Sequence, residues 1–121
     1  MDINVINLKD KAALIEDLHT YRRVARMNDY EFKLIKVQRT FVWHKHPDTD
    51  EVFLAVEGSF DIELRDKTLT LSEGEMAVIP KDMEHRPVCR ERCTIMLIEP
   101  AGTVNTGDAG GDMTDTDISD I

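Results

Sequence analysis

The segment His44-Lys45-His46-Pro47-Asp48-Thr49-Asp50-Glu51 gathers side chains that can hold a metal ion. In an extended strand, positions 44 and 46 project to the same face. Two imidazoles can therefore approach one point. Glu51 opens the next strand after a turn rich in Pro and Asp, so its carboxylate can swing onto that point. A third imidazole, His85, follows Pro80-Lys81-Asp82-Met83-Glu84 at the end of a separate strand. Three His and one Glu suit a divalent first-row metal. Imidazole favours iron, zinc, copper and nickel, and the carboxylate extends the choice toward manganese. The four donor atoms are expected to converge, each about 2.0–2.3 Å from one point. Four protein donors leave an octahedral ion two positions for water or substrate.

The elements that must position these groups are legible from periodicity. Leu8, Ala12, Ile15 and Leu18 recur at helical spacing. Asn7 reads as the N-cap and Asp10 sits where a carboxylate favours the first turn. This predicts one short helix, then a weaker strand at 21–27 and a turn at Asn28-Asp29. From residue 32 the period becomes two. Phe32, Leu34, Lys36, Gln38, Thr40, Val42, His44 and His46 share one face, and Ile35, Val37, Arg39, Phe41 and Trp43 the other. Residues 52–56 form a strand ended by Glu57-Gly58. Residues 60–65 and 68–72 read as a hairpin around Asp66-Lys67. Residues 76–79 and 94–98 are strands stopped by Pro80 and Pro100. Many short strands with turns between them indicate a β-sandwich or barrel.

The joint spacing is more specific than any part of it. His44-x-His46 is followed after four residues by Glu51 and after six more by Gly58; Gly74 is followed after five by Pro80 and after four more by His85. This pattern resembles the two motifs of the cupin superfamily. His44, His46, Glu51 and Gly58 match the first motif, whose leading Gly is Gln38 here. Gly74, Pro80 and His85 match the second, with Asp82 in place of its inner Gly and Cys89 in place of its trailing Asn. Asp accepts a left-handed backbone better than most residues, so the fold tolerates Asp82. The resemblance spans roughly residues 30–100. The closing stretch, residues 99–108, looks like the ending of small single-domain bacterial cupins, loosely grouped with mannose-6-phosphate isomerase-type cupins. That grouping gives no warrant for isomerase activity. The resemblance implies an all-β, antiparallel jelly-roll barrel of six to eight strands with a short N-terminal helix. It implies a metal near one mouth, held by His44, His46, Glu51 and His85. Three segments follow: residues 1–29, the N-terminal helix and strand; 30–100, the barrel; 101–121, an acidic tail.

Counting in steps of two from the ligands predicts a pocket lining. Thr40, Val42, Phe53 and Ala55 should point inward, with Gln38 deeper; Met76, Val78 and Met96 are further candidates, and all read equally as barrel core. The apolar stripe Ile35, Val37, Phe41 and Trp43 must then be covered by the N-terminal segment or a partner chain, which predicts a homodimer through that face. Cys89 and Cys93 are spaced neither as a zinc ribbon nor as a redox pair and read as buried thiols. His19 reads as a surface residue.

Length and charge bound the rest. The chain has 121 residues, which suits one domain. Its 24 acidic and 15 basic residues give a net charge of −9. That sign, without any Lys/Arg block, argues against nucleic acid and against an anionic membrane surface. No apolar run approaches the roughly 20 residues that cross a bilayer. With Asp2 near the start and no apolar leader, the expected location is the cytoplasm. Residues 101–121 contain five Asp and no Lys or Arg, leaving 19 acids against 15 bases elsewhere. Two functions fit. One is an enzyme holding Fe, Mn, Ni or Zn and acting on a small oxygen-bearing substrate by dioxygenase, isomerase or decarboxylase chemistry. The other is a non-catalytic module that binds a small ligand or a metal.

Overall fold

The computed structural model describes residues 3–121. Helix α1 (Leu8–Ala13) starts where Asn7 Oδ1 accepts a hydrogen bond from Asp10 N at 3.0 Å. It stops short of Ile15 and Leu18, so the helical spacing outruns the helix. Ile15 nevertheless packs under the large sheet with Leu8.

The strands follow in order: β1 (Arg22–Met27), β2 (Tyr30–Val37), β3 (Glu51–Glu57), β4 (Phe60–Leu64), β5 (Thr68–Leu71), β6 (Met76–Ile79), β7 (His85–Val88), β8 (Cys93–Pro100) and β9 (Ser119–Asp120). They form a six-stranded sheet, β6-β3-β8-β2-β1-β9, and a three-stranded sheet, β5-β4-β7. Residues of both sheets meet in one interior: Ile35, Phe53, Ile95 and Leu97 from the large sheet against Phe60, Ile62 and Leu71 from the small one. The mostly-strand, little-helix architecture is consistent with a jelly roll whose two sheets stay separate. Among the described residues no helix is long and apolar enough to cross a membrane.

One strand escapes the sequence pattern. Pro87 lies inside β7, and a proline in a short run argues against a strand. Here β7 pairs with β4, and on its other side the Pro87 carbonyl accepts from Phe41 N at 2.9 Å. The long period-two run also divides. Regular pairing ends at Val37, and the chain then crosses to the small sheet, bridging it at Thr40–Val88 and His44–His85. Phe41 and His44 are both buried although three residues apart, so the inward phase changes between them.

That change corrects the face assignment. Ile35, Val37 and Phe41 lie inside the protein, while Trp43 sits outside, stacked under the Arg65 guanidinium at 3.8 Å. Three of the four stripe residues thus face the chain's own interior, and Trp43 alone stays half-exposed.

The tail is packed on its own chain. Strand β9 pairs in parallel with β1, Arg23 binds Asp120 at 2.7 Å, and Ile118 and Ile121 reach the two apolar clusters. Nearer the barrel end, Thr106 is fully buried and Asp108 Oδ1 accepts from Lys45 N at 2.9 Å. Gly107 has φ +53°, and a Cβ there would lie 2.2 Å from the Lys45 carbonyl oxygen. The closeness of the tail to the His44–His46 segment thus requires glycine.

Candidate metal centre

His44 and His85 face each other as a hydrogen-bonded antiparallel pair: His44 N donates to His85 O at 3.0 Å, and His85 N to His44 O at 2.9 Å. This pairing sets their ring centroids 4.3 Å apart. His46 follows two residues on, with its ring 5.0 Å from that of His44. Its carbonyl accepts from Asp82 N at 2.9 Å, and Asp82 takes φ 68° to make the turn, in the left-handed region where the second motif would have glycine. Glu51, the first residue of β3, enters from the large sheet. All four side chains are buried, and one potential donor atom from each lies within 4.8 Å of the others.

The ring orientations are fixed by the backbone. His44 Nδ1 is 2.9 Å from Val42 O, and His85 Nδ1 is 2.9 Å from Met83 O. A carbonyl can only accept, so each Nδ1 carries the proton and each Nε2 presents its lone pair. Glu51 Oε1 lies 3.1 Å from His85 Nε2 and 3.4 Å from His46 Nε2. Two donors about 2.1 Å from an ion and at right angles are about 3 Å apart, so these spacings suit neighbouring ligands of one ion. His46 Nε2 is buried and has no hydrogen-bond partner. An orphaned buried polar atom is costly, and a metal is what these residues fit.

Electrostatics keep His44 and Glu51 in their ligating forms. Burial, then the neighbouring His85, lowers the His44 pKa to about 4, so it is neutral at pH 7. Burial alone would raise the Glu51 carboxyl. The adjacent Glu99 and the two imidazoles outweigh it and hold Glu51 well below the usual carboxylate range. Glu99 goes the other way, raised by burial and by Glu51. Its Oε1 accepts from Lys33 Nζ at 2.9 Å, while its Oε2 is buried without a partner. Lys33 and Glu99 thus form a nearly water-free pair directly behind a ligand carboxylate. Sequence reasoning missed both. The available signal was Lys33 two residues before Ile35 on an inward-facing strand, opposite the neighbouring strand that carries Glu99.

Two spaces adjoin the cluster. The inner cavity, about 30 Å³, is lined by His44, Glu51, Phe53, Phe41, Arg39 and Tyr21 among others. That is room for roughly two or three water molecules. An open cleft of about 460 Å³ lies outside, against His46, Pro47, Val104 and Asp108.

Of the expected pocket residues, Phe53 lines the cavity and Ala55 is buried in the same interior cluster. The others stand elsewhere. Gln38 and Thr40 are exposed and Val42 is half-buried, because the phase change after Val37 invalidates counting back from His44. Met76 and Val78 are 61% and 52% exposed. Their register explains it: Ile79 pairs with Glu51 and Ala77 with Phe53, so those two share the inner face and Met76 and Val78 face out. Met96 is buried on the opposite side of the large sheet with Leu34 and Val56; Ile95 and Leu97 take the inward places. Cys89 and Cys93 are buried free thiols. His19 is half-buried, and its Nε2 accepts from Gln38 N at 3.1 Å, so it closes the end of β2 rather than standing in solvent.

A two-sheet, mostly-β fold carrying a buried His/His/Glu/His cluster defines a class of proteins with a candidate metal site between the sheets. A model of the cupin domain matches residues 32–99, and the chain belongs to the cupin family. It is 31% identical over 94 residues to the uncharacterized protein YdbB of Bacillus subtilis (strain 168), covering 77% of this chain and 83% of that protein. Among solved structures it is similar to a cupin-2 domain containing protein from Shewanella frigidimarina NCIMB 400, with 54% identity and TM-score 0.77, covering 79% of this chain and 94% of that one. It is also similar to protein NMB1881 from Neisseria meningitidis, with 36% identity and TM-score 0.73, covering 81% of this chain and 100% of that one.

Proposed function

We propose that this cupin holds a divalent first-row transition metal through His44, His46, Glu51 and His85 and binds a small oxygen-bearing ligand beside it. The observation that carries this reading is the buried, unpartnered His46 Nε2 among three other donors of the right kind. Such an ion supplies a Lewis acid for a carbonyl or enolate and, as iron, a partner for dioxygen. The chain itself supplies the enclosure. Phe41, Phe53, Ile95 and Leu97 supply the apolar part of the inner wall, and the Nδ1 bonds of His44 and His85 prevent their rings from turning. The proposed chemistry is dioxygenase, isomerase or decarboxylase type on a small substrate, with a non-catalytic binding module as the second reading.

Elemental analysis of protein purified without chelator tests the metal. One iron, manganese, nickel or zinc per chain is expected, and its loss in His46→Ala. A wild-type protein that takes up none of these four ions would end the reading. Anaerobic Fe(II) loading followed by oxygen uptake with a small dicarbonyl then separates the two functions. Turnover that His46→Ala abolishes supports the enzyme; saturable ligand binding without turnover under any metal supports the module.

A further inference from the structure

The metal-centred reading leaves one charged group of the inner cavity without a task. Arg39 lines the same cavity as His44 and Glu51. Its Nε is buried and has no hydrogen-bond partner, and among the described residues no carboxylate lies within ion-pair distance of it. Its guanidinium lies over the Phe41 ring at 5.0 Å, and that ring in turn meets the His44 ring edge-on at 5.2 Å. Guanidinium, phenyl and metal-ligating imidazole therefore form a ladder along one wall. The remaining walls are mostly apolar, Phe53, Ile95 and Leu97 among them, with Tyr21 and Asn105 as further polar members.

A half-buried guanidinium with an orphaned Nε–H is an incomplete recognition element. Buried donors cost free energy when unpaired, and buried charges are normally paired. The planar fork of Arg matches a carboxylate in a two-pronged contact, which a single water cannot imitate. Stacking on Phe41 fixes the plane of the fork in advance. The cavity is too small for a bulky polyanion, and its apolar walls suit a short carbon chain. The local charge is also opposite to that of the whole molecule. The whole chain carries a net −9, whereas Arg39 brings a cation into a space whose one lining carboxylate among the described residues, Glu51, would be neutralised by a divalent ion.

We propose that Arg39 receives the carboxylate of a small carboxylic acid bound in this cavity. As the ligand class of the metal-centred site, this rests on the metal reading; as an anion site, it stands on Arg39 and the cavity alone. Arg39 is then a binding and specificity residue, which selects acids over their neutral amides and esters.

The test uses the full chain, stripped of metal, with propionate as the probe and propionamide as its uncharged counterpart. Proton–nitrogen NMR reports the arginine Nε–H signals, and that of Arg39 is identified by its absence in Arg39→Gln. Propionate should shift this signal saturably and propionamide should leave it in place. Arg39→Gln should weaken propionate binding by roughly tenfold or more, as measured on neighbouring backbone amides. Equal responses to propionate and propionamide, or unchanged propionate binding in Arg39→Gln, would overturn the proposal. If Arg39→Gln does not fold, Arg39→Lys identifies the signal, and the wild-type contrast between acid and amide decides the matter. Zinc titration of the same samples reports on the metal separately. Zinc refused while propionate still shifts Arg39 would remove the metal reading and keep the anion site.

Discussion

The two faces of the large sheet are built from the same strands and solve different problems. On the outer face, Leu34, Val56 and Met96 pack with Ile15, Leu8 and Ile121 in an apolar cluster, and the polar Lys36 and Thr94 stand at its end, bonded to Ile15 O and Glu57. On the inner face, the alternate residues of the same strands include Lys33, Glu51 and Glu99 as well as Ile35, Phe53 and Leu97. The outer face gains stability from area removed from water and asks only for shape. The inner face buries ionisable groups that are tolerable only together: Lys33 on Glu99, Glu99 beside Glu51, Glu51 against two imidazoles. Stability on one face is therefore a sum of contacts, and on the other a property of a network.

That contrast can be broken by three measurements. The largest effect is expected from Lys33→Met, which leaves Glu99 buried without its cation. Urea unfolding should show a loss of about 3–5 kcal/mol, and adding Glu99→Leu should recover most of it. A single-variant loss as small as that of a surface substitution would dissolve the network. Leu34→Ala, on the outer face, should cost about 2–4 kcal/mol while zinc affinity stays that of the wild type, because only packing is lost. A parallel fall in zinc affinity would mean that the two faces are coupled. The third effect lies in the pH dependence of the metal-free protein. His44 titrates near 6.5 unfolded and near 4 folded. Between those values the unfolded chain binds the extra proton, so stability falls as pH drops. The fall amounts to about 2–3 kcal/mol across that window. Glu51, held low in the folded state, acts in the same direction in more acidic solution. Leu34→Ala should lower this curve without changing its shape, whereas His44→Gln should flatten it. Thermal denaturation at a series of pH values distinguishes the two.

Sequence patterns reached unequal depths here. His44, His46, Glu51 and His85 can be brought together on paper because spacing within a motif survives local irregularity. The strands at 52–56, 60–65, 68–72, 76–79 and 94–98 are legible because turn residues bound them. The pocket lining was not. It requires counting through residues 38–44, where the chain leaves one sheet for the other and the phase is lost. Strand β7 is hidden by Pro87, which gives up an N–H but holds its place through the carbonyl that accepts from Phe41 N. Arg39, Lys33 and Glu99 are ordinary charged residues by type, and only pairing register and burial reveal them as interior. The tail, acidic and poor in large apolar groups, has too little to fold alone; two isoleucines, an Arg23–Asp120 pair and a glycine against Lys45 are enough to seat it on the domain.

The place of β8 has a consequence for how the chain assembles. In the large sheet β8 lies between β3 and β2, which do not pair with each other. Both precede it in sequence, so that sheet has no centre until residues 93–100 arrive. The small sheet draws on residues 60–88 alone and includes a tight hairpin, so its closure is local and fast. His85 alone of the four donors belongs to that early sheet; His44 reaches it through a long-range bridge, and Glu51 is anchored by the large sheet. A metal present during refolding would therefore link segments that come together late, and should accelerate the joining of the sheets rather than the formation of either.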